Sequence, residues 1–466
     1  MKTDTIAAIA TAMSDSGIGI IRVSGDEAVA IVDRIYRNKN NKKILSKYDS
    51  HTIHYGYVTE EDGTVIDEVM VSVMKSPRSY TTEDTVEINC HGGILMMKKI
   101  LETVIRAGAR IAEPGEFTKR AFLNGRIDLS RAEAVMDIIH AKNDFALQSS
   151  VKQLKGSVSD KIRNLREEIL YEIAFIESAL DDPEHISLDG YRERLSLRTD
   201  TVMAELDRLL CSADDGRILK EGIHTVIVGK PNAGKSSLLN LMAGEEKAIV
   251  TDIAGTTRDA LEEEVSLGGI TLHVIDTAGI RNTEDVVEKI GVERARKISE
   301  EADLILYVVD SSLPLDDNDR DIIRMIQDKN TIILLNKSDL DEVVREEDII
   351  HEIDTISGHK RVEIIKTSTK HDSGIEDLMN LIKEMFFHGK ISYNDEVYIT
   401  NMRHKEAIQD AKDSMIQVRK SLDLDMPEDF YSIDLMSAYA SLGKIIGEEV
   451  EDDLVNKIFS EFCMGK

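Results

Sequence analysis

Residues 229–236 read GKPNAGKS and decide the fold of the middle of the chain. The stretch fits the pattern GxxxxGKS, follows an apolar run at residues 225–228 and precedes a helical pattern over residues 237–242. Glycines in such a loop let backbone N–H groups close around phosphate oxygens at a helix N-terminus. Lys235 supplies a charge for the β- and γ-phosphates, and the hydroxyl of Ser236 can bind Mg²⁺. The stretch therefore predicts a phosphate-binding loop between a strand and a helix.

Three further motifs follow in order, each directly after an apolar run: DTAG at residues 276–279, NKSD at 336–339 and TSTK at 367–370. A carboxylate that opens the first motif can hold the Mg²⁺ shell, and Gly279 lets a backbone N–H approach the γ-phosphate. Asp339 can accept hydrogen bonds from both the N1–H and the 2-amino group of guanine, a pair that adenine lacks. Ligands bind at the carboxyl ends of strands in an open α/β sheet. The four motifs together resemble the GTPase superfamily of P-loop proteins.

The residue that would orient the attacking water differs from the usual one. Ras-type enzymes place a glutamine directly after the DxxG glycine, whereas this chain has Ile280, which cannot orient a water. Hydrolysis therefore needs another group. Residues 249–259, IVTDIAGTTRD, are rich in short oxygen-bearing residues, and Thr257 is placed to be the switch threonine on Mg²⁺.

Around these motifs, apolar runs alternate with helical patterns from residue 221 onward. The runs predict strands at residues 224–228, 271–275, 304–309, 331–335 and 362–365. Buried runs that alternate with helices are typical of a mostly parallel, doubly wound sheet.

The flanking regions have different textures. The first 120 residues show short β-rich runs, a turn at residues 61–63, and a helical pattern at residues 94–107 that ends at Gly108, which predicts an α+β domain. Long helical periodicity fills residues 131–220 and returns after about residue 387. We expect the two helical stretches to form one domain into which the α/β domain is inserted.

Composition excludes several classes of protein. The formal net charge is −29, which is unlike a general nucleic-acid binder, and Trp is absent, which disfavours a base-stacking platform. The three cysteines share no CxxC spacing and predict neither a disulfide framework nor a zinc cluster. No run of about 18 apolar residues and no signal peptide is present in the sequence. We therefore expect a cytoplasmic protein without a membrane partner.

Several strings outside the phosphate loop are similar to the MnmE (TrmE) family of tRNA modification GTPases. Besides Asn232, they are TDIAGTTRD at 251–259, DTAGIR at 276–281, YTTED at 80–84, HGG at 91–93, PGEFTKRAFLNG at 114–125 and the terminal CMGK at 463–466. The resemblance covers the whole chain and implies four segments. These are an N-terminal α+β domain that binds tetrahydrofolate and dimerises (1–120), a first helical part (121–220), a Ras-like G domain (221–388) and a second helical part (389–466).

The resemblance also implies a GTP site in which a potassium ion stands in for an arginine finger. It places Mg²⁺ on Ser236 and Thr257, and K⁺ on Asn232, Thr251, Ile253 and Thr256. It makes Glu288 the acidic residue that helps to position water; from the sequence alone a solvated charge is the commoner explanation. The full set of implied GTP-binding residues is Asn232, Ala233, Gly234, Lys235, Ser236, Ser237, Thr251, Asp252, Ile253, Ala254, Gly255, Thr256, Thr257, Asp276, Thr277, Ala278, Gly279, Asn336, Lys337, Asp339 and Ser368.

A second implied site binds a tetrahydrofolate derivative that donates one carbon. Its matching residues are Arg22, Glu87, Arg126 and Lys466, and Cys463 matches a cysteine needed for the modification. Each charged residue has an ordinary alternative as a surface ion-pair member, and Cys463 could be a thiol in a frayed tail. Arg126 replaces a lysine of some members, which changes the hydrogen-bond geometry but keeps the charge. Met464 replaces an aliphatic residue conservatively.

The family resemblance implies a homodimeric, K⁺-dependent GTP hydrolase. With an FAD-containing MnmG-type partner, in a heterotetramer, it would add a carboxymethylaminomethyl or aminomethyl group to C5 of the wobble uridine at position 34 of certain tRNAs. Two alternatives remain at this point. A ribosome-assembly GTPase predicts a basic appendage and no folate site, and a purely regulatory switch predicts that Cys463 is dispensable.

Overall fold

A computed structural model describes residues 4–40, 45–245, 262–276, 302–327, 329–357, 362–387, 398–448, 450, 452–460, 462, 463 and 465. Within it the chain forms two compact units. The first unit contains Met1–Met136, Lys152–Met203 and Asp410–Lys466, and the second contains Asp137–Val151 and Ala204–Gln409.

In the described residues, strands and helices are mixed from Ile6 to Leu123, helices alone follow as far as Glu221, strands and helices are mixed again as far as Phe387, and helices alone follow from Met402. The strands are β1 (Ile6–Ile9), β2 (Ser16–Ser24), β3 (Tyr36–Asn38), β4 (Thr52–Thr59), β5 (Val65–Met74), β6 (Thr85–Gly92), β7 (Arg110–Ile111), β8 (Ile223–Val228), β9 (Glu262–Leu267), β10 (Ile270–Asp276), β11 (Leu304–Asp310), β12 (Thr331–Asn336) and β13 (Glu363–Lys366). The helices are α1 (Ala28–Ile35), α2 (Ile94–Arg106), α3 (Glu116–Leu123), α4 (Leu129–His140), α5 (Asp144–Lys155), α6 (Ser157–Asp181), α7 (Tyr191–Glu221), α8 (Lys235–Glu245), α9 (Asp317–Met325), α10 (Glu346–Ser357), α11 (Ile375–Phe387), α12 (Met402–Asp423), α13 (Glu428–Ile446) and α14 (Asp452–Ser460).

A seven-stranded sheet of order β3-β4-β5-β6-β2-β1-β7 is the centre of the first unit. Its strands pair antiparallel except β1 with β7. Strand β5 shows the reason: Val69, Val71 and Val73 are buried, whereas Glu68 before them and Met70 between them are exposed. Such alternation covers one face with a core and leaves the other open. The short β-rich runs expected in the first 120 residues are confirmed as strands, whereas β1, β3 and β7 are too short to be predicted.

Helix α2 covers the buried face with Met97, Ile100 and Val104, which recur at helical spacing. It ends at Arg106, and Gly108 takes a left-handed φ of 121°, which a side chain would strain. The predicted end of this helix is therefore confirmed within one residue.

Helices from before and after the α/β region pack together in the first unit, α6 against α13. Ser432 on α13 donates to Glu177 on α6 at 2.9 Å, and Arg419 on α12 pairs with Asp200 on α7 at 2.9 Å. The expected helical domain, discontinuous in sequence, is confirmed. Of the helices in the described residues, none is long and apolar enough to cross a membrane.

The sheet of the second unit has the order β13-β12-β11-β8-β10-β9 and is parallel except for β9. Strand β11 is buried along its whole length: Leu306 and Val308 join a core covered by α8 and α11, while Ile305 and Tyr307 join one covered by α9 and α10. Helices on both faces confirm the predicted doubly wound architecture. The sequence did not predict β9, an edge strand with three glutamates, because charged edge strands lack a continuous apolar run.

The short segment 137–151 belongs to the second unit although it lies within a long helical stretch. Asn143 Nδ2 donates to Thr271 Oγ1 on β10 at 3.1 Å, Lys142 forms an ion pair with Glu264 on β9, and Phe145 packs against the core of this unit. The domain limits at residues 120, 220 and 388 stay predictions.

Candidate nucleotide site and arginine cluster

The phosphate loop connects β8 to α8, as the sequence predicts. Gly229 has a left-handed φ of 151°, and a Cβ there would stand 2.3 Å from the carbonyl oxygen of Val308 on β11. Only glycine fits this close approach. Asn232 also has a positive φ of 61°, and its side chain is exposed at the turn of the loop.

Two groups inside the loop are held by hydrogen bonds. The Lys235 ammonium donates to the carbonyls of Gly229 at 2.7 Å and Lys230 at 2.8 Å. The buried side chain of Asn336 at the end of β12 donates to the carbonyl of Ala233 at 2.8 Å. The guanine motif is therefore bonded directly to the phosphate loop, so one end of the site positions the other.

The guanine end lies at the carboxyl ends of β12 and β13. Asp339 Oδ1 accepts a hydrogen bond from Ser368 Oγ at 2.7 Å, and this bond holds the pKa of the Asp339 carboxyl below its ordinary value. Asp339 is therefore ionised near neutral pH, as an acceptor for two guanine N–H groups must be. This contact joins the NKSD and TSTK motifs, which are about thirty residues apart.

Lys337 has a positive φ of 63° and forms an ion pair with Asp310, the last residue of β11. Burial raises the pKa of Asp310, but its hydrogen bonds from Lys337 and Ser312 outweigh that effect and leave the pKa lowered. The pair fixes the stem of Lys337 beside the site. The sequence did not single out Asp310, because nothing distinguishes it from any other acidic residue that ends a strand.

Two of the groups predicted to hold Mg²⁺ lie on neighbouring elements. Ser236 is exposed in the first turn of α8, and Asp276 ends β10, directly beside β8 in the register that pairs Asp276 with Ile227. Hydroxyl and carboxylate oxygens are ligands that Mg²⁺ prefers, so a serine and an aspartate are residue types that fit the ion.

The structure places Ala233, Gly234 and Ser237 in the loop and its helix, as predicted. The remaining candidates lie outside the described residues: Thr251, Asp252, Ile253, Ala254, Gly255, Thr256, Thr257, Thr277, Ala278, Gly279, Glu288 and Lys466.

In the first unit, residues from distant parts of the chain meet around Arg22, and we call Arg22, Tyr80, Glu87, Arg126 and Gly465 the arginine cluster. Arg22 on β2 pairs with Glu87 on β6 at 2.8 Å, and its guanidinium donates to the carbonyl of Gly465 at 3.2 Å. The Cζ atoms of Arg22 and Arg126 lie 5.7 and 4.8 Å from the centroid of the Tyr80 ring. The structure thus brings together three of the four residues expected to bind folate with the penultimate residue of the chain.

Tyr80 was not predicted as a site residue, although it opens the YTTED string. Its carbonyl accepts from Arg126 at 3.1 Å, and its hydroxyl is 2.9 Å from the buried Thr118 Oγ1 on α3. One aromatic ring therefore supports two guanidinium groups through cation–π contacts. Sequence alone gives no signal for this contact, because the two arginines are more than one hundred residues apart.

A network of ion pairs around Arg120 fixes the position of α3. Arg120 contacts Glu83 at 3.2 Å, Glu116 at 2.9 Å and Asp4 at 2.8 Å, and Glu83 also accepts from Ser24 at 2.9 Å. Burial raises the pKa of Glu116, but hydrogen bonds from Arg110 and Arg120 outweigh it and lower the pKa. The network holds the loop of Tyr80 and the start of α3 in one geometry.

Cys463 and Gly465, near the end of the chain, have backbone contacts with other parts of the first unit. Gly115 N donates to the carbonyl of Cys463 at 3.4 Å, and Gly465 has a φ of 86° where a Cβ would stand 2.3 Å from the carbonyl oxygen of Ile9. Cys463 itself is exposed. The interpretation of this thiol as part of a frayed tail is therefore disfavoured by the hydrogen bonds to the carbonyls of Cys463 and Gly465.

The strand-end motifs, the parallel sheet and the phosphate loop define a GTPase of the P-loop class. Two family descriptions match the chain: "GTP-binding protein TrmE N-terminus" over residues 5–126 and "MnmE helical domain" over residues 129–463. The tRNA modification GTPase MnmE of Lachnoclostridium phytofermentans is 59% identical over 466 residues, with both chains fully covered. The chain belongs to the MnmE family of tRNA modification GTPases, and the family resemblance seen in the sequence is confirmed.

Two further relatives match this chain over the whole of both sequences. The proteins named tRNA modification GTPase MnmE in Listeria welshimeri and Acetivibrio thermocellus are each 48% identical over the whole of both chains. Among solved structures, a variant of Aquifex aeolicus Era bound to GDP and AlF4⁻ is 27% identical and covers 42% of this chain and 67% of its own, with a TM-score of 0.28. A score this low carries no conclusion.

Proposed function

We propose that this GTPase is K⁺-dependent and that, with an FAD-containing MnmG-type partner, it adds a carboxymethylaminomethyl or aminomethyl group to C5 of the wobble uridine of certain tRNAs. The observation that carries the proposal is the contact of Arg22 with both Glu87 and Gly465. This contact links Arg22 and Glu87, which are expected to bind the one-carbon donor, to the C-terminal segment that bears Cys463. A GTPase that acted only as a switch, or only in ribosome assembly, would have no use for such a cluster.

Hydrolysis in this proposal begins with a preformed nucleotide site. Lys235 would exchange its two carbonyl partners for phosphate oxygens, and Asp339 would accept the guanine N–H groups. Ser236, Thr257 and Asp276 would hold Mg²⁺, which would supply positive charge to the β- and γ-phosphates. The chain's own contribution is to orient the nucleotide before the ion binds.

Potassium would replace the missing water-orienting glutamine and arginine finger. Asn232 supports this role, because its exposed side chain stands at the turn of the phosphate loop, where an amide oxygen suits a monovalent cation. Thr251, Ile253 and Thr256 would supply further oxygens, and Glu288 would help to position the water. We expect wild-type turnover to be much faster in K⁺ than in Na⁺, and Asn232→Ala to bind GTP but lose the stimulation. Equal rates in the two salts for the wild type would exclude the potassium role.

The arginine cluster fits a tetrahydrofolate derivative by charge. Arg22, Arg126 and Lys466 are cations that suit the carboxylates of folate, and Glu87 can accept hydrogen bonds from a pterin ring. We infer that the cluster holds the one-carbon donor near Cys463. The chemistry on uridine also needs the FAD of the partner, so this chain's share is to bind and orient the donor.

The proposed assembly is a homodimer that joins the MnmG-type protein in a heterotetramer and acts on tRNA in the cytoplasm. The net charge of −29 suits a protein whose tRNA contacts come mainly from a basic partner. GTP hydrolysis would drive the opening and closing of two G domains.

The decisive experiment is nucleoside analysis of tRNA from a deletion strain that is complemented with wild-type protein or with Cys463→Ser. We expect the C5 modification to vanish on deletion and to return only with the wild type, because a hydroxyl is a far poorer nucleophile than a thiol. Purified Cys463→Ser should hydrolyse GTP at a near-normal rate. Unchanged wobble uridines in the deletion strain would overturn the function, while full rescue by Cys463→Ser would remove only that residue.

A further inference from the structure

The side chain of Lys230, the second residue of the phosphate loop, reaches the start of α9. Its ammonium lies 2.7 Å from Asp319 Oδ2 and 3.2 Å from Asp316 Oδ2, at the start of α9. The Lys230 side chain is 15% exposed, whereas that of Asp319 is 1% exposed. Because Asp319 is buried, its position is fixed by the packing around it. Its ion pair with Lys230 therefore anchors the phosphate loop.

Asp319 also accepts hydrogen bonds from two other groups of the second unit. Its Oδ1 accepts from the hydroxyl of Tyr307 on β11 at 2.8 Å, and Tyr307 is fully buried. Its Oδ2 also accepts from the backbone N–H of Asp316 at 2.9 Å, which completes the capping box of α9. The carboxylate thus joins the central strand, the helix start and the phosphate loop.

The electrostatics of the pair support a charged, permanent contact. Burial lowers the pKa of Lys230, but hydrogen bonds to Asp319 and Asp316 outweigh that effect, and the pKa lies above its ordinary value. Burial also raises the pKa of Tyr307, so its hydroxyl stays a proton donor to Asp319. Lys230 is therefore an ammonium at any physiological pH.

The contact of Lys230 with Asp319 lies at the start of the phosphate loop, where a second contact also constrains the backbone. Gly229 lies against the carbonyl of Val308, and Lys230 is fixed by Asp319, so the backbone of both residues is constrained. The same two residues present the oxygens to which Lys235 Nζ donates. We propose that Lys230 and Asp319 are positioning residues for GTP binding, which act through the backbone of the phosphate loop and touch no nucleotide themselves.

The proposal predicts how the affinities for GDP and GTP, and kcat, change when the anchor is removed. The loop's N–H groups cradle the α- and β-phosphates, which GDP and GTP share. Removal of the anchor should therefore weaken GDP and GTP by the same factor, about tenfold for one charge-assisted contact, and leave kcat within about twofold. A purely structural role would lower the melting temperature without this change in affinity.

The test measures the affinity of full-length Lys230→Met, Asp319→Asn and the double variant for GDP and GTP by competition with a fluorescent guanine nucleotide. Lys230→Arg keeps a cation and should bind both nucleotides with nearly wild-type affinity. The matched control is Arg320→Met, since Arg320 is the next residue of α9 and pairs with Glu352 away from the loop. It should change neither affinity.

The double variant gives the sharpest result. If the two residues form one anchor, Lys230→Met with Asp319→Asn loses no more affinity than the worse single variant. Wild-type affinity of Lys230→Met for both nucleotides, a loss confined to GTP, or losses that multiply in the double variant would each overturn the proposal. Should the buried Asp319→Asn fail to fold, the contrast between Lys230→Met and Lys230→Arg decides alone.

Discussion

The nucleotide site in the second unit and the arginine cluster in the first differ in the origin of their parts. The nucleotide site draws on short loops at the ends of neighbouring parallel strands, and much of its surface is backbone, as at Gly229 and Ala233. The arginine cluster draws on side chains from two strands and two loops, such as Arg22 and Tyr80, and on the backbone carbonyl of Gly465.

The two sites therefore tolerate substitutions in different ways. A loop whose shape is fixed by glycine and by backbone hydrogen bonds depends on a few positions in one short string. A cluster assembled from distant side chains depends on the packing that brings them together, here on α3 and its buried ion pairs.

The largest expected effect concerns the guanine end of the nucleotide site. Asp339→Asn keeps an oxygen that can accept from Ser368 but replaces the other acceptor with a donor. We expect the affinity for GTP to fall by on the order of 10⁴-fold and xanthine nucleotide to become the better ligand. Competition binding with GTP and XTP measures it. Tight GTP binding by this variant would show that the guanine assignment is wrong.

The next effect concerns the support of the arginine cluster. Arg120→Met leaves Glu83 buried without its cation, while Glu116 keeps only Arg110, and breaking a buried pair costs about 3–5 kcal/mol. Hydrogen exchange in α3 and β1 measures the loss within this unit. The control is Arg163→Met, whose ion pair with Asp128 is 43% exposed on the arginine side, and we expect it to cost at most about 1 kcal/mol. Equal losses in the two variants would contradict the role given to the network.

The smallest effect concerns the ring that supports both arginines. Tyr80→Leu removes two cation–π contacts of about 0.5–1 kcal/mol each, so we expect about tenfold weaker binding of 5-formyltetrahydrofolate, measured by calorimetry. Tyr80→Phe keeps the ring and should bind almost normally. Tyr55→Leu, which removes the contact of Lys39 with Tyr55 elsewhere in this unit, is the matched control.

Two results of that titration have different meanings. Unchanged affinity in Tyr80→Leu would remove the supporting role of the ring. No binding by the wild type would instead exclude the folate assignment of the cluster.

How much the sequence revealed depends on how far apart the residues of a feature are along the chain. The phosphate loop, NKSD and TSTK motifs are contiguous strings, and the strands β8, β11 and β12 before them are nearly unbroken apolar runs, so sequence alone predicted their place and order. The short strands β1 and β7 could not be predicted in this way. Two to four residues carry no periodicity, and these strands form only because β2 and each other offer partners.

By itself, the sequence therefore determined the guanine-nucleotide chemistry, the parallel sheet and the split helical domain, because each is specified by local patterns of apolar spacing, glycine and turn residues. Only the tertiary structure decided that Tyr80 supports two arginines, that Arg120 joins three carboxylates and that Lys230 is anchored to Asp319. Apart from the i,i+4 pair of Arg120 with Glu116, these contacts link residues that are far apart in the sequence, from 37 positions for Arg120 and Glu83 to 116 positions for Arg120 and Asp4. Burial and low polarity give such contacts their strength, and burial exists only once the chain has folded.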